Sequence, residues 1–288
     1  MRILHLDSGR EMRGGQWQVL RLIRGLRAAG WEPVLRCRSG SPLLERAKAE
    51  GFNVDRLGMF LPKCDLIHAH DARSHAIAAF SRGPLVVSRR VAFPIGSRWK
   101  SRWKYSRANR FIAVSACVAN VLRSGGVPES KIAVVPDGVP LLALTAAGEK
   151  LLIPAQKHAA LAVEAARVAG LPVCLSHDLE ADLAKARCML YVTDGEGLGS
   201  GVLMAMSAGV PAIASNVGGL REIITDGENG LLVENSVQAI AAAIRRLVGN
   251  RDLARQIATN ARLTIETRFS EARMVAGTIE VYQRVLHA

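Results

Sequence analysis

Short runs of apolar, often β-branched residues alternate along the chain with longer segments whose apolar positions recur at helical spacing. In the first half the predicted strands are RILHL, EPVLRC, DLIHAH, PLVVS, FIAVS and IAVVP, and helical patterns such as 72–80 and 116–124 separate most of them. A chain that alternates strands and helices in this way predicts a parallel sheet with helices on both faces.

The second half repeats this scheme. Its predicted strands are KLLIPA, LPVCLS, CMLYVT, PAIAS and GLLVE, and its predicted helices cover about 157–169, 179–187, 201–209 and 236–248, with helix to the end after residue 251. Between the halves, VVPDGVPLL interrupts the pattern with two prolines and a glycine. We therefore expect domains at 1–145 and 146–268, a final helix within 269–288, and a ligand cleft at the carboxyl ends of the two sheets.

Composition supports this α/β class. Hydrophobic residues make up 49% of the 288 residues but aromatic ones only 5%, as in helix-covered parallel sheets. No apolar run approaches the roughly 20 residues that a membrane-spanning helix needs, and MRILHLDSG is too short for a signal peptide. The five cysteines are scattered without CxxC spacing, which favours reduced thiols in a cytoplasmic protein.

Charge is distributed unevenly between the two halves. Residues 1–148 carry 24 basic and 10 acidic side chains, a net +14, whereas residues 149–288 carry 14 and 15, a net −1. The basic half is therefore expected to meet an anionic partner, which could be a phosphate, a nucleic acid or a lipid surface.

The most informative stretch is DGEGLGSGVLMAMSAGVPAIASNVGG, residues 194–219. A strand leads into a loop with four glycines and then into an apolar helix. Glycines allow close approach of the backbone, and the amides at a helix N-terminus attract anionic or polar ligands. Glu196 therefore lies where it could bind a ligand, although a simple helix-capping role fits the local pattern equally well.

Residues 196–233 resemble, without a gap, the nucleotide-sugar-binding segment of retaining glycosyltransferase family 4, which has the form E-G-[FL]-G, four residues, E-A-M, G-[VT]-P-V-[IV]-A, a GG-[LI] turn and DGxxGLLV. The resemblance implies a GT-B fold: two Rossmann-like domains facing a cleft, with the C-terminal helix returning to the first domain. It also implies that Glu196 binds hydroxyls of the transferred sugar. The sugar and diphosphate would meet the backbone at Gly197, Leu198, Gly199 and Ser200.

Met204 departs from this family pattern, because the family has there a second glutamate that holds the ribose. A thioether is only a weak acceptor and cannot replace two hydrogen bonds to hydroxyls. Loss of a charge-assisted bond typically costs about 1.5–3 kcal/mol. Three explanations remain: another group holds the ribose, the donor binds weakly, or the chain has lost transfer activity.

Two further segments support the resemblance. MRGGQWQVLRLIRGLRAAGWEPVL resembles the first loop and helix of the family, and places the amides of Gly14 and Gly15 where a phosphate or acceptor could bind. EKLLIPAQKHAALAVEAARVAG stands where the family has GRLxxEKG, with Arg and Lys on the diphosphate. Lys157 matches that lysine, and no arginine matches. The chain also has about one strand–helix unit fewer here, so we expect a shortened second domain.

DLIHAHDARSHAIAAF resembles the D-[IV]-[IV]-H-x-H segment of the family. His68 and His70 alternate along one strand and so face the same side. The resemblance implies that His70 contacts the transferred sugar or the acceptor, with Asp71 orienting it or capping the next helix; two satisfied core histidines are the alternative. No third ligand has spacing suited to zinc, so no metal site is expected.

PLVVSRRVAFPIGSRWKSRWKYSRANRFIAVSACVANVL resembles a subset of the family. Between residues 89 and 110 there are eight basic and no acidic residues. The stretch suits a membrane interface or a lipid-linked acceptor, and also an acceptor phosphate, single-stranded nucleic acid or an ordinary solvated surface. We favour the membrane or acceptor side for Arg89, Arg90, Trp99, Lys100, Trp103 and Lys104.

The resemblance implies a retaining, metal-independent glycosyltransferase that uses a nucleotide-activated sugar such as a UDP- or GDP-sugar. The sugar nucleotide is its substrate, and no separate cofactor is expected. We expect an acceptor from envelope polysaccharide, lipopolysaccharide or glycolipid synthesis, and a cytoplasmic location that includes peripheral contact with the inner face of the cell membrane. The alternative, favoured by Met204 and the missing arginine, is a non-catalytic nucleotide-sugar or glycan binding protein on a degenerate GT-B fold.

Overall fold

The computed structural model describes residues 1–96, 98–144, 148–155 and 158–287. The chain divides into two compact units. Unit 1 comprises residues 1–137 together with 271–288, and unit 2 comprises residues 138–270. Both units are built on parallel sheets, so the predicted α/β class is confirmed.

Unit 1 holds a seven-stranded sheet in the order β3-β2-β1-β4-β5-β6-β7. Its strands are β1 (Arg2–Asp7), β2 (Glu32–Cys37), β3 (Asn53–Arg56), β4 (Leu66–Ala69), β5 (Leu85–Arg89), β6 (Arg110–Ala113) and β7 (Ile132–Val134). Its helices are α1 (Gly14–Ala28), α2 (Pro42–Ala49), α3 (Ala72–Ala78), α4 (Trp99–Ser106) and α5 (Ala116–Ser124), followed by the short 3₁₀ turn Glu129–Lys131. All neighbouring strands are parallel.

The edge strand β3 is absent from the predicted strand series. Its sequence, NVDR, contains one apolar residue, and its side chains are exposed or half-buried. A strand at the edge of a sheet with a solvated face has no run of buried apolar residues to reveal it.

The last helix, α12 (Glu271–Leu286), belongs to unit 1 and packs on α1. Its buried side chains join β1, β4, β5 and β6 in one apolar core, in which Tyr282 is fully buried. Val275 lies against Gly25 of α1, where any side chain would collide with it. The predicted return of the C-terminal helix to the first domain is therefore confirmed.

Unit 2 holds a five-stranded sheet in the order β12-β11-β10-β8-β9. Its strands are β8 (Lys150–Pro154), β9 (Val173–Ser176), β10 (Ala186–Tyr191), β11 (Ala212–Ser215) and β12 (Leu231–Val233). Its helices are α6 (Ala159–Ala169), α7 (Leu179–Leu183), α8 (Ser200–Ser207), α9 (Leu220–Ile223), α10 (Val237–Gly249) and α11 (Arg251–Arg268). Each strand corresponds to one of the five predicted ones.

The core of unit 2 consists mainly of small and aliphatic side chains from α6, α10, β8 and β10. Three alanines of α6 are fully buried, which lets this helix lie close to α10. Across the described ranges, no helix in either unit is long and apolar enough to cross a membrane.

Candidate functional site

The glycine loop of unit 2 connects β10 to α8, as predicted, and fixes the carboxylate of Glu196. The hydroxyl of Tyr191 donates a hydrogen bond to Oε2 over 2.7 Å, and the amide of Gly197 donates to Oε1 over 2.9 Å. The N-cap residue of α8 is Gly199, and among the described residues no side-chain hydrogen bond caps this helix. Glu196 therefore does not cap α8, and the capping alternative is wrong.

Gly218 and Gly219, in the connection between β11 and α9, pack against the same loop. The amide of Gly219 donates a hydrogen bond to the carbonyl of Glu196 over 3.0 Å. A side chain at Gly218 would collide with that carbonyl, and one at Gly219 would collide with the carbonyl of Gly197. The two loops can pack this closely only because both positions lack a Cβ.

The loop ends and α8 begins at a glycine whose backbone adopts the left-handed conformation. Gly199 has φ +107°, and a side chain there would also press on Leu220. Ser200 then begins α8, whose first turn contains no acidic residue. The N-terminal amides of such a helix point outward with a partial positive charge and suit a diphosphate. Leu198 is buried beneath the loop.

Met204 lies one turn into α8 and is only 6% exposed. The side chain is thus part of the packed interior rather than of an open surface. A carboxylate at this position would be buried unless a ligand's hydroxyls reached it.

Lys157 lies outside the described residues, so its predicted contact with a diphosphate stays a prediction. The next residue, His158, has φ +65° and precedes α6. Its Nε2 lies 2.7 Å from Oδ2 of Asp194, at the start of the glycine loop. Asp194 also accepts a hydrogen bond from the side-chain amide of Asn235. This contact ties the start of α6 to the loop that carries Glu196.

Unit 1 contains a cluster of three buried histidines, of which sequence reasoning identified two. His68 and His70 lie at the end of β4, with ring centroids 4.0 Å apart. The third, His5, comes from the neighbouring strand β1, because the sheet register pairs it with His68. Pairing of β1 with β4 brings His5 next to His68. Because His5 is distant from the other two histidines in the sequence, no motif indicated that it would join them.

The tautomers of the cluster follow from Arg90, which can only donate. Its Nη1 lies 3.4 Å from Nδ1 of His70, so that nitrogen accepts and Nε2 of His70 carries the proton. That Nε2 lies 2.9 Å from Nδ1 of His5. The remaining proton of His5 is on Nε2, which is buried and has no partner within the described ranges. Nδ1 of His68 bonds to the hydroxyl of Tyr282, and its Nε2 bonds to Ser88.

Burial keeps all three imidazoles neutral. It lowers the pKa of His5 to about 3, and the nearby positive charge of Arg90 acts in the same direction. Burial, followed by neighbouring histidines and Arg90, lowers the pKa values of His68 and His70 well below the usual range. Arg90 itself is neutralised by Asp137, whose Oδ1 lies 3.0 Å from Nε.

Ring nitrogens of the three histidines lie within 4.8 Å of one another, so the reason given for expecting no metal site is wrong: a third histidine is present. The geometry nevertheless fits hydrogen bonds better than a metal ion. The His5 and His70 nitrogens are 2.9 Å apart, whereas two ligands on tetrahedral zinc would be roughly 3.3 Å apart. Both nitrogens of His68 are already bonded to hydroxyls, and the guanidinium of Arg90 opposes a cation.

Both ring nitrogens of His70 are also engaged, and the residue is 6% exposed. The rings therefore stand as satisfied buried histidines, and contact between His70 and a sugar or acceptor stays a prediction. Asp71 caps α3, accepting hydrogen bonds from the amides of Arg73 and Ser74. Burial alone would raise the pKa of Asp71, but hydrogen bonds from Ser74 and Ser8 outweigh it and lower that pKa.

The predicted glycine turn of unit 1 opens α1 at Gly14. The carboxylate of Asp7 fixes the preceding loop. It accepts hydrogen bonds from the side-chain amide of Gln16 on both oxygens and from the backbone amide of Gly9 on Oδ1. Gly15 lies beside the side chain of Arg90. The turn and Arg90 thus form one polar surface at the carboxyl edge of the sheet.

The basic aromatic stretch forms α4 and its flanking loop, and none of the eight residues of α4 is buried. Trp99 is 73% exposed, and Trp103 contacts Phe80 of the α3–β5 connection, with ring centroids 5.0 Å apart. Arg89 points inward and donates to Tyr105, whereas the Nζ of Lys104 lies near a carbonyl of α3. Lys100 and Arg102 remain exposed.

Two family models match the chain in succession. Residues 12–141 match the model described as Glycosyltransferase Family 4, and residues 156–264 match Glycosyl transferases group 1. The first match lies almost entirely in unit 1 and the second lies within unit 2. Each match therefore covers most of one unit, and the first strand of each unit, β1 or β8, lies just before the matched range.

Among curated proteins, the chain is similar to EpsD of Bacillus subtilis, which is assigned as a glycosyltransferase, with 32% identity over 61% of this chain and 46% of that protein. It is 38% identical to the O-antigen chain mannosyltransferase B of Escherichia coli over 37% of this chain and 27% of that enzyme. The chain thus spans less than half the length of the curated relatives it matches.

Among solved structures, the fold is similar to that of Anabaena HepE in complex with UDP and glucose, with a TM-score of 0.85. The superposition covers 98% of this chain and 99% of HepE, at 17% sequence identity. This likeness establishes the GT-B fold.

Proposed function

Because the chain belongs to glycosyltransferase family 4, we propose that it transfers a sugar from a nucleotide-sugar donor to a glycan or lipid-linked acceptor. The bond between the anomeric carbon and the diphosphate breaks, and a glycosidic bond of the same anomeric configuration forms. We place the acceptor in envelope polysaccharide, lipopolysaccharide or glycolipid synthesis, and the name of the O-antigen chain mannosyltransferase B supports a glycan acceptor.

The observation that carries this proposal is the held carboxylate of Glu196. Two donors, the Tyr191 hydroxyl and the Gly197 amide, occupy one acceptor site on each oxygen. An ionised carboxylate has about four acceptor sites, so the others can receive sugar hydroxyls. Hydrogen bonds to a charged acceptor are the stronger kind, which suits a group that must select and orient a sugar.

The leaving diphosphate would lie at the N-terminus of α8, with Lys157 as its cation. Helix amides and a lysine can stabilise the developing charge without a metal ion. The sequence has no Asp-x-Asp to hold a divalent cation. HepE, which shares the fold, binds UDP and glucose, and this supports a UDP- or related nucleotide-activated sugar as donor.

Unit 1 would supply the acceptor side. Arg90 is held between Asp137 and His70 and lies beside Gly15. A fixed guanidinium next to the amides at the start of a helix suits an acceptor phosphate or carboxylate. In this scheme Arg90 orients His70, because its Nη1 lies 3.4 Å from Nδ1 of that ring.

We further propose that α4 and its surroundings dock on anionic lipid at the inner face of the cell membrane. From residue 72 to residue 128 there are eleven basic and no acidic side chains. Trp99, Phe93 and Phe80 are each about 70% exposed. Exposed aromatic rings combined with unopposed positive charge suit the headgroup region of an anionic bilayer.

The donor proposal is tested by calorimetric titration of the full chain with UDP-glucose, GDP-mannose, UDP and GDP. Binding of a sugar nucleotide, and a loss of affinity of about tenfold in Glu196→Gln, would support it. Wild-type affinity in Glu196→Gln would remove Glu196 from the donor site. Thr264→Val, which removes a hydroxyl bonded to Asn229 elsewhere in unit 2, is the matched control.

The alternative of a non-catalytic binding protein rests on Met204. Its thioether cannot accept the hydrogen bonds that a carboxylate would. Release of nucleoside diphosphate, measured with a crude envelope fraction as acceptor source, separates the two functions. Tight donor binding without release above the spontaneous rate would favour the binding protein, whereas acceptor-dependent release would favour the enzyme.

A further inference from the structure

Tyr191, the last residue of β10, makes a contact that sequence reasoning did not foresee. The side chain is 6% exposed, and its hydroxyl lies 2.7 Å from Oε2 of Glu196. The residues before it in β10, Cys188, Met189 and Leu190, are apolar and fully buried. The strand thus ends in a phenol whose polar atom reaches the glycine loop.

The ring of Tyr191 also supports the start of α8. A side chain at Gly201 would stand 3.1 Å from the Cε2 atom of the ring, so backbone and ring are in close contact there. One side chain therefore touches both the carboxylate and the helix turn whose amides would meet a diphosphate. Phenylalanine would preserve the packing of this ring and remove only the hydroxyl.

The direction of the hydrogen bond is fixed by chemistry. An ionised carboxylate can only accept, so the phenol donates to Oε2 while the Gly197 amide donates to Oε1. With one donor on each oxygen, the carboxylate cannot rotate without losing a bond. Its unused acceptor sites consequently keep one orientation before any ligand arrives.

We propose that Tyr191 is a positioning residue for the sugar moiety of the donor: its hydroxyl holds Glu196 in the orientation that receives sugar hydroxyls. The inference rests on the proposed function of Glu196. It predicts that the phenol contributes to recognition of the sugar and not to recognition of the nucleoside diphosphate, because Tyr191 reaches the ligand only through the carboxylate.

The experiment is a double-mutant cycle on the full chain with Tyr191→Phe, Glu196→Gln and the double variant, and with Thr264→Val as control. Affinities for UDP-glucose and UDP, and for GDP-mannose and GDP, are measured by calorimetry. For the pair that the wild type binds, Tyr191→Phe should reduce sugar-nucleotide affinity about five- to tenfold and leave affinity for the free diphosphate unchanged. In the Glu196→Gln background the same change should have little further effect.

Four results would overturn the inference. Wild-type sugar-nucleotide affinity in Tyr191→Phe, with a clear loss in Glu196→Gln, would reject Tyr191 and leave the proposed function intact. An equal loss for sugar nucleotide and free diphosphate in Tyr191→Phe would show a general distortion of the loop. No loss in Glu196→Gln, or no sugar-nucleotide binding by the wild type, would reject the proposed role of Glu196 and this inference with it. Thermal unfolding of each variant confirms that the protein tested is folded.

Discussion

Arg90 donates a hydrogen bond from Nε to Oδ1 of Asp137 over 3.0 Å, and this ion pair is largely buried next to three neutral histidines. Burial raises the pKa of Asp137, although the charge of Arg90 opposes the rise. Each charge stabilises the other in the interior, because an unpaired buried charge would destabilise the folded protein.

Removing one partner of this pair should therefore destabilise unit 1 strongly. We expect Asp137→Ala to lower the free energy of unfolding by about 3–5 kcal/mol, because the guanidinium of Arg90 would remain buried without its counter-charge. Urea denaturation measures the effect. Glu129→Ala, which breaks an exposed pair with Arg123, is the control and should change the stability far less than Asp137→Ala does. Similar losses in both variants would contradict the buried-pair interpretation.

The neutral histidines should make the protein sensitive to acid. Burial lowers the pKa of His75 to about 3, as it does for His5. Unfolded histidines titrate near pH 6.5, so between about pH 6.5 and 3 the unfolded chain binds more protons and stability falls as pH falls. Each such histidine adds a slope of about 1.4 kcal/mol per pH unit.

His75→Gln tests this directly, because it removes one titrating group from the comparison. Between pH 6 and 4.5, the slope of the unfolding free energy against pH should be smaller than in the wild type. The difference should be about 1.4 kcal/mol per pH unit, which corresponds to one proton. The buried carboxyls of Asp7 and Asp137, whose pKa values are raised, act in the opposite sense but contribute equally to both proteins. Parallel slopes would mean that His75 is protonated in the folded state.

Met204→Glu should destabilise the ligand-free protein. Met204 is 6% exposed, so the new carboxylate would be buried. Burial of this charge should lower the free energy of unfolding by a few kcal/mol. Met204→Leu is the control and should change stability by less than about 1.5 kcal/mol. If a ribose binds here, UDP should raise the melting temperature of Met204→Glu more than that of the wild type. A fully stable Met204→Glu that responds to UDP as the wild type does would place residue 204 outside any nucleotide site.

His158→Gly should stabilise unit 2 slightly. A residue with a Cβ at φ +65° costs roughly 1–2 kcal/mol, whereas the exposed pair with Asp194 returns at most about 1 kcal/mol. We therefore expect a gain of up to about 1 kcal/mol in urea denaturation. His158→Ala, which loses the pair and keeps the strain, should instead be neutral or destabilising. A loss of stability in His158→Gly would show that the contact between His158 and Asp194 outweighs the backbone strain.

Membrane docking predicts two separable contributions to vesicle binding. Sedimentation with vesicles of phosphatidylglycerol and phosphatidylcholine should show binding that weakens with salt but does not vanish. Arg98, Lys100 and Arg102 changed together to Ser should weaken the salt-sensitive part by about 1 kcal/mol for each residue. Trp99→Ala with Trp103→Ala should remove the salt-resistant part, which comes from apolar burial.

The matched control for this experiment removes the same number of charges elsewhere. Arg246, Arg251 and Arg273 are exposed and lie outside α4. Changing these three to Ser should leave vesicle binding almost unchanged. An equal loss in both triple variants would indicate attraction by net charge alone. Binding of single-stranded RNA in place of vesicles would support a nucleic-acid partner.

Much of the fold could be predicted because its signals are local. Short apolar runs identified eleven of the twelve strands in the described part of the chain, and the strand–loop–helix pattern identified the loop that contains Glu196. β3 escaped because an exposed edge strand needs no apolar run. The role of Lys157 stays a prediction.

The sequence by itself determined the α/β class, the order of all strands except β3, the glycine turns and the family resemblance, because each depends on residue types at fixed short spacing. The tertiary structure alone decided which distant polar groups meet. Strand pairing brought His5 to His68, and loop packing placed the Tyr191 hydroxyl on Glu196. The buried pair of Arg90 and Asp137 joins residues 47 positions apart. Such contacts depend on how strands and loops pack in space. The spacing of residues along a single chain does not show which distant side chains will lie close together.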